Sequence, residues 1–242
     1  SGSSPVVTTN PSSLGATWIN TTSGEIFVAT DITTGENNWL GTAGTEVVPV
    51  SAAYFGSRGV FGGGDTGGHG GDSNVIDYVT IATPGNATDF GNLTVARNGL
   101  ASCSDGTKGL WGGGATSNVI DYITIATTGN AIDFGDLTVA RAYLAACSDG
   151  TKGVFGGGYA SGNFNTIDYI TIATTGNAID FGDLTVSRRR LAACSDGTKG
   201  VFGGGYPSTN VIDYVTIATT GNATDFGDLT VARYGLAACS DG

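Results

Sequence analysis

Apolar and β-branched residues in this chain come in short runs, and a glycine or turn signal cuts every one of them. In one representative stretch the runs are Leu144–Ser148, Lys152–Gly157, Thr166–Thr174 and Phe181–Ser187. They are rich in Val, Ile, Thr, Tyr and Phe, residues that fit a pleated, half-buried surface, so each predicts a strand. Gly-Gly-Gly, Asp-Gly and Thr-Gly-Asn interrupt the stretch too often for a good helix. Asp149-Gly150, between the first two runs, is a two-residue hairpin signal. Thr175-Gly176, between the third and fourth, puts glycine where a type II turn needs positive φ. The first unit writes the same turn as Pro84-Gly85, with proline at the position whose φ it pre-sets.

This pattern repeats. Ile-Asp-Tyr recurs around Asp77, Asp121, Asp168 and Asp213, and Asp-Phe-Gly recurs at Asp89, Asp133, Asp180 and Asp225, both in steps of 44, 47 and 45 residues. A period in the mid-forties is the size of a propeller blade or a paired-helix repeat. With the helical option gone, four antiparallel strands per unit predict a propeller blade. The units run over residues 48–98, 99–142, 143–189 and 190–234, and residues 235–242 carry only the first strand of a fifth. Ser51–Val60 aligns without gaps with Ala145–Val154, so the first unit has its own first strand. The expectation is an all-β chain of four full blades plus one strand. Four-bladed closure would leave the extra strand without a place; a larger ring of which these are the first blades fits better, and a second chain completing the ring is the other option.

The order of these elements resembles the kelch repeat of galactose-oxidase-like β-propellers. A small-residue strand ends in Asp-Gly, a second ends in glycines, a third carries Asp-Tyr and a fourth ends in Arg. The resemblance covers residues 48–242 and is most specific at the glycine pairs Gly62-Gly63, Gly112-Gly113, Gly156-Gly157 and Gly203-Gly204. Kelch blades usually carry Trp before the last strand; this chain has Phe90, Phe134, Phe181 and Phe226. The family's copper oxidase chemistry needs Tyr and His ligands. A chain with one histidine cannot supply them, so that activity does not carry over.

The N-terminal part lies outside the repeat. Residues 1–10 read as a flexible Ser/Thr/Gly lead-in. Residues 11–46 form a small β module, with strands at Ala16–Asn20 and Glu25–Ala29 around Thr-Thr-Ser-Gly. A module this small buries little surface alone, so it is expected to dock on a partner or to oligomerise. Its string LGATWINTTSGEIFVATDITTGENNW resembles a short module of bacteriophage tail-fibre and virion proteins. The resemblance implies a virion-surface, extracellular protein that meets other virion proteins as a homo-oligomer.

The net charge of −11 argues against nucleic acid and anionic membrane surfaces, which reward basic patches. No apolar run approaches the roughly 18 residues of a membrane span. The chain has no methionine and stops one strand into a unit, which implies a natural polypeptide longer at both ends. Its four cysteines, Cys103, Cys147, Cys194 and Cys239, keep the repeat step. One per blade on the innermost strand, they read as small buried apolar residues too far apart for disulfides.

Two places vary between otherwise near-identical units. One is the loop after Gly-Gly-Gly: Asp65–Asn74, Ala115–Asn118, Tyr159–Asn165 and Tyr206–Asn210. The other is the pair after the unit-ending arginine: Asn98-Gly99, Ala142-Tyr143, Arg189-Arg190 and Tyr234-Gly235. With strands running alternately up and down, both places fall on one face, and the invariant turns fall on the other. Variation on one face of a fixed scaffold suits a binding surface, although loops drifting after duplication give the same pattern. Tyr143, Tyr159, Phe164, Tyr206 and Tyr234 offer flat apolar faces, and Arg189 and Arg190 offer donors. Such a set suits sugars.

The repeated Asp of Ile-Asp-Tyr and the repeated Arg97, Arg141, Arg188 and Arg233 invite a catalytic reading. A catalytic site is normally single, so a structural ion pair or turn hydrogen bond in each blade is the better account. Lys108, Lys152 and Lys199 read as solvated, and the Gly-Gly-Gly runs as lying inside strands. His69, with Asp65 and Asp72 nearby, is a weak metal candidate in a Gly-rich loop. No cofactor is expected. The functional expectation is a non-enzymatic adhesin for host surface glycan. The alternatives are a purely structural repeat protein, or a glycan-active enzyme whose site lies outside this chain.

Overall fold

The computed structural model describes residues 57–67, 71–115 and 117–240, together with four short strands nearer the N-terminus. The chain separates into two compact units, Ser1–Phe55 and Gly56–Gly242. Among the described residues there are nineteen strands and no helix.

The N-terminal unit is an antiparallel sheet of four strands in sequence order: β1 (Thr17–Ile19), β2 (Ile26–Ala29), β3 (Trp39–Gly41) and β4 (Glu46–Val47). Phe27 and Ala29 on β2 are buried. The first two strands fall where the sequence puts them. The other two, three and two residues long, are too short to leave a periodic signal.

The larger unit is a series of antiparallel sheets, one per repeat. The first has three described strands, β5 (Arg58–Gly62), β6 (Val75–Thr80) and β7 (Thr88–Asn92). The strand expected ahead of β5 lies outside the described residues. The second sheet is β8 (Ala101–Ser104), β9 (Lys108–Gly112), β10 (Val119–Thr124) and β11 (Ile132–Asp136). The third is β12 (Ala145–Ser148), β13 (Lys152–Gly156), β14 (Thr166–Thr171) and β15 (Ile179–Asp183). The fourth is β16 (Ala192–Ser195), β17 (Lys199–Gly203), β18 (Val211–Thr216) and β19 (Thr224–Asp228). The first strands β8, β12 and β16 run beside one another. Among the described residues three apolar clusters form the core of this unit, one at each boundary between successive sheets. Phe134 and Leu137 meet Phe155 and Ile172 at the second boundary, and Phe181 and Leu184 meet Phe202 and Ile217 at the third.

Five expectations shift. The fourth strand is Ile179–Asp183, not Phe181–Ser187. Past Asp183 the chain leaves the ladder because the neighbouring sheet captures it: the Thr185 backbone N–H and hydroxyl both donate to Asp213. The turn expected at Thr175-Gly176 is instead closed by Thr174 N–H donating to Thr171 O, while Gly176 N–H donates to Phe134 O of the preceding sheet. The Gly-Gly-Gly runs end strands instead of lying inside them. The ladder ends at the first glycine; Gly157 N–H still donates to Thr166 O, and Gly157 and Gly158 follow β13 at φ of +67° and +120°. Residues 236–240 join no ladder, so the fifth unit's strand is not formed there.

The Asp-Gly turns form one residue later than the hairpin signal suggests. Asp149 N–H donates to Lys152 O around central residues Gly150 and Thr151, and the Asp149 carboxylate accepts from the N–H groups of Thr151 and Lys152. Gly150 takes φ of +83°, a conformation that favours glycine.

The Asp-Phe-Gly landmark has a physical cause. The register of β10 on β11 jumps from Ile120↔Gly135 to Asp121↔Asp133, which leaves Phe134 as the extra residue of a bulge. The bulge aims Phe134 into the boundary, edge-on to Tyr122 at 5.8 Å, and buries it. Gly135 follows because a Cβ there would run into the Gly176 carbonyl of the next sheet.

Candidate functional site

The two variable segments meet. Ala142 and Tyr159 exchange backbone hydrogen bonds across a bridge, and Arg189 and Tyr206 do the same. Each bridge joins the residue after one sheet's terminal arginine to the residue after the next sheet's glycine run. The loops are therefore pinned side by side along one edge.

On this frame Arg189 is the centre. Its guanidinium lies 4.2 Å from the Tyr159 ring centroid and 4.4 Å from that of Tyr206, and its Nη1 donates to Asn163 Oδ1 at 3.1 Å. Tyr206 in turn meets Tyr234 edge-to-face at 5.4 Å. Tyr206 and Tyr234 are 40% and 48% exposed, so their rings face solvent. Arg190 turns away and lies over Tyr143 at 4.8 Å. The candidate residues thus form two groups, Tyr159–Arg189–Tyr206–Tyr234 and Tyr143–Arg190. Phe164 joins neither among the described residues. Its backbone closes the loop, with its N–H donating to Gly158 O and its carbonyl accepting from Arg188 N–H.

Tyr143 and Arg190 also carry a backbone feature that sequence reasoning missed. Both lie in the left-handed region, at φ of +58° and +54°. The equivalent residues Gly99 and Gly235 are at +66° and +68°. A hydrogen-bonded relay links the four: Tyr143 N–H to Gly99 O, Arg190 N–H to Tyr143 O, and Gly235 N–H to Arg190 O. Glycine at two of four equivalent places was the available signal. Two repeats put a large side chain where the backbone favours glycine, at a cost of roughly 1–2 kcal/mol each. Such strain is often found at functional positions. Asn163, which anchors Arg189, was also missed.

The repeated Asp and Arg form ion pairs, but between sheets and not within one. Arg97 pairs with Asp121 at 2.9 Å, Arg141 with Asp168 at 2.8 Å, and Arg188 with Asp213 at 3.0 Å, all fully buried. Burial lowers the three guanidinium pKa values, and the partner aspartate opposes the shift. Each aspartate also accepts from a threonine of the preceding sheet, as Thr94 donates to Asp121. Lys108 and Lys152, expected to be solvated, instead reach the next sheet. Lys108 Nζ donates to Ile172 O at 2.8 Å, and Lys152 Nζ donates to Ile217 O and Ala218 O at 3.0 and 2.9 Å. Lys199, on the last described sheet, is exposed.

The four cysteines are free. His69 lies outside the described residues. Of its neighbours, Asp65 accepts from Gly67 N–H and Asp72 from the Asn98 amide. No three His, Cys, Asp or Glu side chains gather as metal ligands among the described residues. No protein-family model matches the chain, and no curated protein matches it.

Proposed function

We propose that this chain is a non-enzymatic adhesin built as a kelch-like propeller, which takes host surface glycan on its variable edge. The observation that carries the reading is Arg189 stacked between Tyr159 and Tyr206, beside the exposed Tyr234. Exposed aromatic faces offer area to the apolar faces of sugar rings at low entropic cost. The guanidinium and the Asn163 amide add fixed donors for hydroxyl groups. Individual sugar contacts of this kind are weak, so useful affinity requires several copies on one particle. That demand agrees with the virion tail-fibre role suggested by the N-terminal string, whose unit would dock on other virion proteins.

The test is a glycan array probed with the wild-type chain and with a variant carrying Tyr143, Tyr159, Tyr206 and Tyr234 all changed to Ala. Binding lost in the variant, with an unchanged circular dichroism spectrum, supports the proposal. Binding indifferent to the four tyrosines, or no binding by either, sinks it. A second reading, a purely structural fibre or virion protein built from tandem repeats, is favoured by a separate observation: the same buried Arg–Asp pair recurs at three successive sheet–sheet junctions.

A further inference from the structure

Arg188, Arg189 and Arg190 are consecutive, and among the described residues only the first has a carboxylate partner. Arg188 is fully buried against Asp213. Arg189 is half-buried and Arg190 exposed, and neither lies within ion-pair distance of a carboxylate among the described residues. The Arg189 side chain makes one hydrogen bond among them, from Nη1 to Asn163 Oδ1, and that acceptor is neutral. Its other N–H donors meet no protein acceptor there.

A chain with 21 acidic and 10 basic residues has carboxylates in excess, yet it keeps them away from this edge. In the second, third and fourth units the variable segments contain no Asp or Glu, and Arg189 and Arg190 are their only charged residues. In the third unit Asp149 lies beyond the other end of β13, where its carboxylate accepts from the N–H groups of Thr151 and Lys152. The backbone adds an independent observation. Arg190 sits at φ of +54°, where the equivalent residues are Gly99 and Gly235. No ion pair offsets that strain among the described residues, and strain of this kind gathers at ligand-binding positions.

We propose that the ligand of this edge is an acidic glycan, one bearing a carboxylate, sulfate or phosphate group, and that Arg189 takes that group. The inference rests on the reading of the edge as a glycan site. A planar guanidinium presents paired N–H donors that match the oxygens of such a group two at a time. Tyr159 and Tyr206, at 4.2 and 4.4 Å, and Asn163, at 3.1 Å, hold the Arg189 guanidinium in place, so little freedom is lost when an anion binds. The two rings also keep water from the guanidinium, which strengthens an ion pair made at its edge. Arg190 adds a second positive charge to the same segment and draws anions toward it. A neutral sugar would use the rings and leave both charges without a counter-ion.

The experiment is a glycan array of matched sets, each neutral glycan beside its carboxylated, sulfated and phosphorylated counterparts, probed with the 242-residue chain at low and high salt. The variants are Arg189→Gln, Arg189→Lys and Lys199→Gln, the last removing a charge at the far end of β17 from the variable loop. Circular dichroism checks that each folds. Wild type is expected to bind one acidic set about tenfold or more above its neutral counterpart. That preference shrinks at high salt. It disappears in Arg189→Gln, survives in part in Arg189→Lys, which keeps the charge without the fork, and is unchanged in Lys199→Gln. The acidic set preferred identifies the group. Equal binding of neutral and acidic members, lost in the four-tyrosine variant, overturns the acidic assignment and leaves the glycan reading standing. A preference that survives Arg189→Gln, or that falls as far in Lys199→Gln, overturns it too. No binding to any member sinks the glycan reading and this inference with it.

Discussion

Arg141 Nη1 lies 2.8 Å from Asp168 Oδ2, and the two fully buried side chains belong to neighbouring sheets. The same arginine donates to Phe155 O, and Thr138 donates to the same aspartate. Each sheet is therefore locked to the next by a charge pair that neither could bury alone. Removing one partner of such a pair leaves an uncompensated buried charge. Arg141→Ala and Asp168→Ala are each expected to cost about 3–5 kcal/mol. An Arg141→Met/Asp168→Leu double variant is expected to cost less than either single change. Urea denaturation of the four proteins measures this; additive losses would contradict the coupling.

The aromatic-on-glycine contact gives a second contrast. Gly156 has no positive φ, so alanine there is purely a steric insult, its Cβ 2.7 Å from the Phe202 ring. Gly156→Ala is expected to destabilise by about 1–3 kcal/mol. Gly203→Ala, where the nearest atom is 3.8 Å away, is expected to leave the denaturation midpoint of the 242-residue chain unchanged. Equal effects at the two glycines would refute the packing argument.

Arg190 allows the backbone cost to be read directly. Alanine there keeps the +54° φ and loses the contact over Tyr143, whereas glycine loses the contact but relieves the backbone. Arg190→Gly is expected to be more stable than Arg190→Ala by about 1 kcal/mol, reversing the usual order of the two residues. Thermal melts of the two variants decide it.

Cysteine chemistry follows burial. The Cys103 sulfur lies against Gly153 of the next sheet, where a Cβ would stand 2.7 Å away, and burial pushes its thiol up to about 12. Cys147 is pushed up further for the same reason, and Cys239 is exposed. At mildly alkaline pH a thiol reagent is expected to modify Cys239 first and to leave Cys103 and Cys147 intact until the chain unfolds. The folded Cys103 holds its proton above the pH at which the unfolded thiol releases it. Its contribution to stability is therefore full below the ordinary thiol pKa and is lost as pH rises through that value toward about 12. A midpoint that rises with pH over that window would contradict the sign.

What the sequence made legible was whatever a unit settles within itself. The period, the strands around Lys152 and Thr166, and the convergence of Tyr159 with Ala142 all follow from local pattern and alternating strand direction. The residues misread were those that act on the neighbouring sheet. Lys152 looked solvated because nothing in its own repeat needs it, and its acceptors lie at Ile217 and Ala218. Phe181–Ser187 looked like one strand because Leu184-Thr185-Val186 has strand propensity, which the Asp213 carboxylate overrides. The invariance of threonine and asparagine across the four units carried this information without saying which sheet each would contact. The Tyr159–Arg189–Tyr206 stack was legible as composition, but its geometry depends on a bridge between two repeats.

The most direct test of the binding face is an NMR titration that follows tyrosine ring signals as the array's strongest glycan is added. The sheet tyrosines Tyr78, Tyr122, Tyr169 and Tyr214, each edge-on to its own Asp-Phe-Gly phenylalanine, serve as internal controls. The account predicts saturating shifts at Tyr159, Tyr206 and Tyr234, with the four controls still. Shifts confined to the controls or to the N-terminal unit, or no shift anywhere at saturating glycan, would contradict it.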